Sequence, residues 1–100
     1  MSPQPDALEV LRSKTQASRV EFVHEELASC FRNVETANAA YDSREYDVAK
    51  RHAKAAEDGY ETIVRFLGEI EEEAQRTEIE HRWNQLRAEL DALQARLAEL

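Results

Sequence analysis

The sequence predicts an all-α protein: a long antiparallel helical hairpin carrying a C-terminal coiled-coil arm, with a three-helix bundle as the alternative. Three observations predict it. The 100 residues include only two Gly and two Pro, and both prolines fall within the first five positions. A sheet protein draws on Gly, Pro and Asn for its many turns, and that chemistry is almost absent here. The abundant residues (Ala, Leu, Glu, Arg and Gln) are all good helix formers. Finally, apolar residues recur three and four apart along most of the chain, which places them on one stripe of a helix.

Residues 1–5 read as a disordered lead-in. Asp6, with Glu9 three residues on, reads as a capping box that starts the first helix. This helix is expected from about Ala7 to Tyr41, with the stripe Val20, Val23, Leu27, Cys30, Val34, Ala37 and Tyr41. Asp42 and Glu45 form a second possible capping box, so a new helix is expected there. Its stripe is Tyr46, Ala49, Ala53, Ala56, Tyr60, Ile63, Leu67, Ile70 and Ala74. A turn this short makes the two helices antiparallel neighbours. Folding there places Ala37 against Ala49, Val34 against Ala53, Cys30 against Ala56, Leu27 against Tyr60 and Val20 against Leu67. The second helix offers only alanines near the turn, so the backbones can approach closely. The hairpin domain is assigned to residues 6–76. Phe22, Phe31, Val64 and Phe66 flank the stripes, and two helices cannot cover them all.

Around this turn Ala37, Tyr41, Tyr46, Ala49 and Ala56 resemble the small and aromatic positions of one tetratricopeptide repeat. The turn glycine, the closing proline and a second copy are missing, and such repeats need about three copies to be stable. No peptide-binding function is carried over from this resemblance.

Residues 77–100 are assigned to the arm. A new stripe of Ile79, Trp83, Leu86, Leu90, Leu93, Leu97 and Leu100 steps by four and three throughout, as in a heptad seam. It is out of phase with the preceding stripe. In one architecture the second helix runs unbroken from about Glu45 to Leu100, about 84 Å, and the seam pairs with another chain. In the other, the helix breaks near Thr77, where Thr77 and Glu80 could form a capping box, and the last segment folds back over the stray phenylalanines. The unbroken helix is favoured because Glu69–Ile79 contains no Gly, Pro, Asn or Asp. Glu72 with Arg76 and Glu78 with Arg82 are also favourable i,i+4 pairs across the suspected break. The flanking charges favour an antiparallel homodimer, in which Glu89 faces Arg96 of the other copy; the parallel alternative would set Arg82 against Arg87.

The net charge of −8 disfavours nucleic acid. The basic stretch Arg44, Lys50, Arg51 and Lys54 reads as a solvated helix face. No apolar run is long enough to span a membrane, and the first residues have neither the basic nor the apolar region of a signal peptide. The single cysteine, Cys30, cannot form an internal disulfide, so a reduced, cytoplasmic setting is expected. It lies on a seam and reads as a buried structural thiol.

Two Glu-x-x-His pairs, Glu21 with His24 and Glu78 with His81, put a carboxylate and an imidazole on one helix face. In this they resemble the metal pairs of ferritin-like carboxylate proteins, and the resemblance implies a small metal-binding bundle completed by oligomerisation. The hairpin register keeps the two pairs apart, so they read first as solvated faces. No phosphate loop and no Ser-His-Asp set are present. No enzyme and no cofactor are expected. The expected function is a structural or protein-interaction module that joins copies, or holds a partner helix, through the C-terminal seam.

Overall fold

The computed structural model describes the backbone of residues 7–100 and the side chains of residues 14–100. The described residues form three helices and no strand: α1, Ala7–Asp42; α2, Tyr46–Leu67; and α3, Glu73–Ala98. The lead-in expected at residues 1–5 and the capping box at Asp6 and Glu9 lie outside the described residues.

α1 and α2 pack closely as the expected antiparallel hairpin. Val23, Leu27, Cys30, Val34 and Ala37 of α1 are buried against Ala53, Ala56, Ile63 and Leu67 of α2. Close approach is enforced at Gly59, where a Cβ would lie 2.3 Å from the Cys30 Sγ. The reversal at residues 43–45 closes in a Schellman pattern. The Glu45 N–H donates to the Ala40 carbonyl at 2.8 Å and the Arg44 N–H to the Tyr41 carbonyl at 3.0 Å. The residue that must turn left-handed is Arg44, at φ 62°. The expected box of Asp42 and Glu45 does not form. Glu45 is the N-cap of α2 without a side-chain cap bond, and the Asp42 carboxylate instead accepts a hydrogen bond from Arg96.

The unbroken helix expected from Glu45 to Leu100 is not what forms. α2 ends at Leu67, a five-residue connection follows, and α3 packs back on both other helices. The break lies at Gly68, not Thr77, which sits inside α3. Two effects offset the intrinsic helicity of Glu69–Ile79. Glycine is about 1 kcal/mol poorer than alanine inside a helix. Folding back also buries Ile79, Leu86, Leu90 and Leu93 almost completely, a gain of about 1.5–3 kcal/mol for each side chain. The connection is tied down by α1. The Gln16 amide donates to the Glu69 carbonyl at 3.0 Å and accepts from the Glu71 N–H at 3.1 Å, replacing the lost intrahelical partners. Ile70 tucks into the core between them, and the Arg76 guanidinium donates to its carbonyl.

α3 therefore runs parallel to α1 and antiparallel to α2. Arg82 meets His24 and Arg96 meets Asn38, each pair 58 residues apart in the sequence. Trp83 meets Tyr60 and Arg87 meets Glu57 on α2. No described residue with a polar or charged side chain is buried.

Candidate functional site

The seam residues named from the sequence converge on the inside of one chain. Ile79, Leu86, Leu90 and Leu93 are buried in the shared core; Trp83 and Leu97 pack partly buried against it. Only Leu100 is left exposed, at 54% of its full area. The four buried leucine and isoleucine side chains are therefore closed to a partner while the bundle stays shut. The physical reason is that a chain's own hairpin reaches the seam at far higher effective concentration than a second molecule does.

Beside this seam, three arginines of α3 attach it to the hairpin. Each guanidinium lies over an aromatic ring: Arg82 over Phe31, Arg87 over Tyr60 and Arg96 over Tyr41, at 5.8, 4.7 and 4.1 Å from the ring centroids. Each also forms hydrogen bonds to polar groups. Arg82 faces the His24 Nδ1 at 3.0 Å. An arginine can only donate, so the Nδ1 is the acceptor of this bond. Arg96 donates to Asn38 and Asp42. This takes the group expected to face Glu89 of another copy and ties it to its own α1.

Arg87 makes the most complete of the three attachments. It binds Glu57 through two nitrogens at 2.8 and 3.0 Å and also reaches Asp91. Hydrogen bonding from Arg87 holds the Glu57 carboxyl below its ordinary range, against the opposing effect of burial. The same bond raises Arg87 above its ordinary value. Next to it the Trp83 and Tyr60 rings stack at 4.4 Å and 6°, and the indole N–H donates to the Tyr60 carbonyl.

The two Glu-x-x-His segments stand level in this fold, because α3 lies parallel to α1. The sequence register had separated them; the third helix brings His81 beside the level of Val23. The side chains do not converge on a common point. Glu21, Glu78 and His81 are exposed, and His24 faces Arg82. Among the described residues, no group of three or more His, Cys, Asp or Glu is placed to hold a metal ion. Cys30 is buried and unpaired, with its thiol pushed up to about 11 by burial and by the Glu26 carboxylate. A thiol so shifted stays protonated and unreactive at neutral pH. His52 hydrogen-bonds Asn33 across the hairpin at 2.8 Å.

Of the stray aromatics, Phe31 is covered by Arg82, while Phe22 and Phe66 cover each other at 5.0 Å on the other side of the hairpin. Val64 remains 48% exposed. A shallow groove between α2 and α3 near the turn has Ala53, Leu97 and Ala98 as its apolar lining, with Lys50, Lys54 and Gln94 along its edges. Lys54 pairs with Asp58. No helix among the described residues is long and apolar enough to cross a membrane.

Sequence reasoning missed the arginine attachments and the Gln16 clasp. Each joins residues more than 20 positions apart, and none has a local signature. Heptad positions placed Arg82, Arg87 and Arg96 beside the seam, but could not say that the facing helix belonged to the same chain. The chain matches no family model, no curated protein and no solved structure.

Proposed function

We propose that this chain is a non-enzymatic helical interaction module that assembles through its third helix. The observation that supports it most is the seam of α3. It is a heptad stripe whose last positions the hairpin leaves incompletely covered: Leu97 is half-buried and Leu100, just past the end of α3, is exposed. The polar chemistry fits the same reading. Among the described residues the shifted titrating groups are a buried thiol and one structural ion pair, and the arginines of α3 hold helices together. They do not converge on a pocket. A cytoplasmic setting fits the unreactive single thiol.

Light scattering coupled to size exclusion, over a concentration series, tests this reading. A dimer that grows in with concentration is expected, and Leu97→Glu with Leu100→Glu should weaken it. A chain that stays monomeric at the highest attainable concentration would remove the support for assembly.

A further inference from the structure

We propose that a second copy of this chain is the partner, and that the two copies exchange their third helices, with residues 68–72 as the hinge. The proposal rests on the assembly reading above and specifies how assembly occurs.

The two reversals in the molecule differ in kind. The one at residues 43–45 is fixed by a left-handed residue, Arg44 at φ 62°, and by the Schellman bonds. Its backbone cannot straighten into a helix without losing all of them. The connection between α2 and α3 contains no left-handed residue. Gly68 is already in the right-handed helical region, at φ −69° and ψ −14°, and Glu72 is merely extended. Rotation within ordinary regions converts this segment into helix. Glu69, Glu71, Glu72 and Glu73 are all residues that sustain one. The closed hairpin therefore bends a segment whose local preference is to be straight, and short hinges under such conflict favour exchange.

The register makes the exchanged form nearly equivalent in contacts. Tyr60 pairs with Trp83 and Glu57 with Arg87, so α2 and α3 are symmetric about residue 72, to about one position. Two straightened helices crossing antiparallel at that point would place Trp83 of one copy on Tyr60 of the other. The pairing of α2 with α3 along the axis is thereby recovered, now between chains. Ile70, buried in the closed form, would lie beside Ala74 of the other copy. The losses at the hinge include the Gln16 clasp, the Arg76 bond to Ile70 and the Arg19–Glu69 pair at 3.5 Å. What is gained is the intrahelical bonds of the straightened segment. Glu69, Glu71, Glu72 and Glu73 of each copy would crowd at the crossing, a repulsion that keeps dilute protein closed and that salt relieves.

The test uses the full chain in a Cys30→Ala background. One preparation carries His24→Cys, a second Arg82→Cys, and a control carries both. The two single variants are refolded together at high concentration, the dimer and monomer fractions are separated, and each is treated with a short bis-maleimide. Exchange predicts a covalent two-chain product from the dimer fraction only, and an intrachain product in the control monomer. Deleting residues 69–71 should raise the dimer fraction at least about tenfold, and inserting a flexible Gly-Ser segment after Gly68 should return it to monomer. A dimer with no cross-chain product, insensitive to hinge length, overturns the exchange while leaving the interaction-module reading intact. Absence of any dimer, with the shortened hinge helical but monomeric, overturns both.

Discussion

Arg44 does the work usually given to glycine. A side chain in the left-handed region costs about 1–2 kcal/mol relative to glycine, and part of that is returned by the lower entropy of the unfolded arginine. Arg44→Gly should therefore stabilise the chain by about 1 kcal/mol in urea unfolding. Gly59 presents the opposite case. In an ordinary helix its replacement by alanine gains about 1 kcal/mol, but here the new methyl collides with the Cys30 Sγ. Gly59→Ala should destabilise by about 1–3 kcal/mol, and adding Cys30→Ala should recover most of it. The strong coupling in that double-mutant cycle would identify the collision itself as the cause. The alanine at position 53 is under the same constraint, since it is fully packed between the helices. At this scale the sequence was informative: the small residues of α2 and the burial of Cys30 follow from periodicity. The Gly59 contact does not, because periodicity marks a face without giving the distance across it.

At the scale of the element, α3 is fixed by a few polar attachments around an apolar seam, and these make its docking sensitive to acid. The Glu57 carboxyl is held below its ordinary range by Arg87. Its contribution is therefore complete above the unfolded carboxylate value, and is lost as pH falls through the lower folded value. Trp83, the only tryptophan, stacks on Tyr60 and reports this docking directly. Its emission should hold steady across neutral and mildly acidic pH and change only in strong acid. Glu57→Gln should lower stability at neutral pH by on the order of 1 kcal/mol and flatten the acid limb of the curve. An unchanged acid limb would show that Glu57 is not the group responsible. The reversal between α1 and α2 was readable from the stripe residues on either side of it, although the capping box expected there does not form. The boundary between α2 and α3 was only half readable. The phase change before Ile79 marked a new contact face, but the lack of breakers from Glu69 to Ile79 pointed to a straight helix. The decision came from Gln16 and Ile70, long-range contacts that no local rule contains.

For the whole molecule, the third helix is needed to complete the core. Without it the core would lose Ile79, Leu86, Leu90 and Leu93, and a two-helix remainder of this length is marginal in water. A chain ending at Arg76 should keep much of its helical signal per residue but lose a sharp cooperative transition on heating. A sharp transition in that fragment would mean that the hairpin is self-sufficient. The all-helical class and the hairpin could be read from the sequence because they depend on period and composition. The closure of the bundle could not, since an identical seam serves a neighbour inside the chain or outside it.

The parallel alignment of α3 with α1, 58 residues apart, also sets an order in time. The α1–α2 turn closes a short loop, whereas α3 can reach α1 only after the intervening chain has been arranged, and long closures are slow to be rewarded in folding. The barrier should be crossed with the hairpin largely made and the third helix still loose. Leu90→Ala should then leave the refolding rate nearly unchanged and speed unfolding, as Trp83 emission in stopped-flow mixing would record. The lifetime of the native state would then depend on the last helix to arrive.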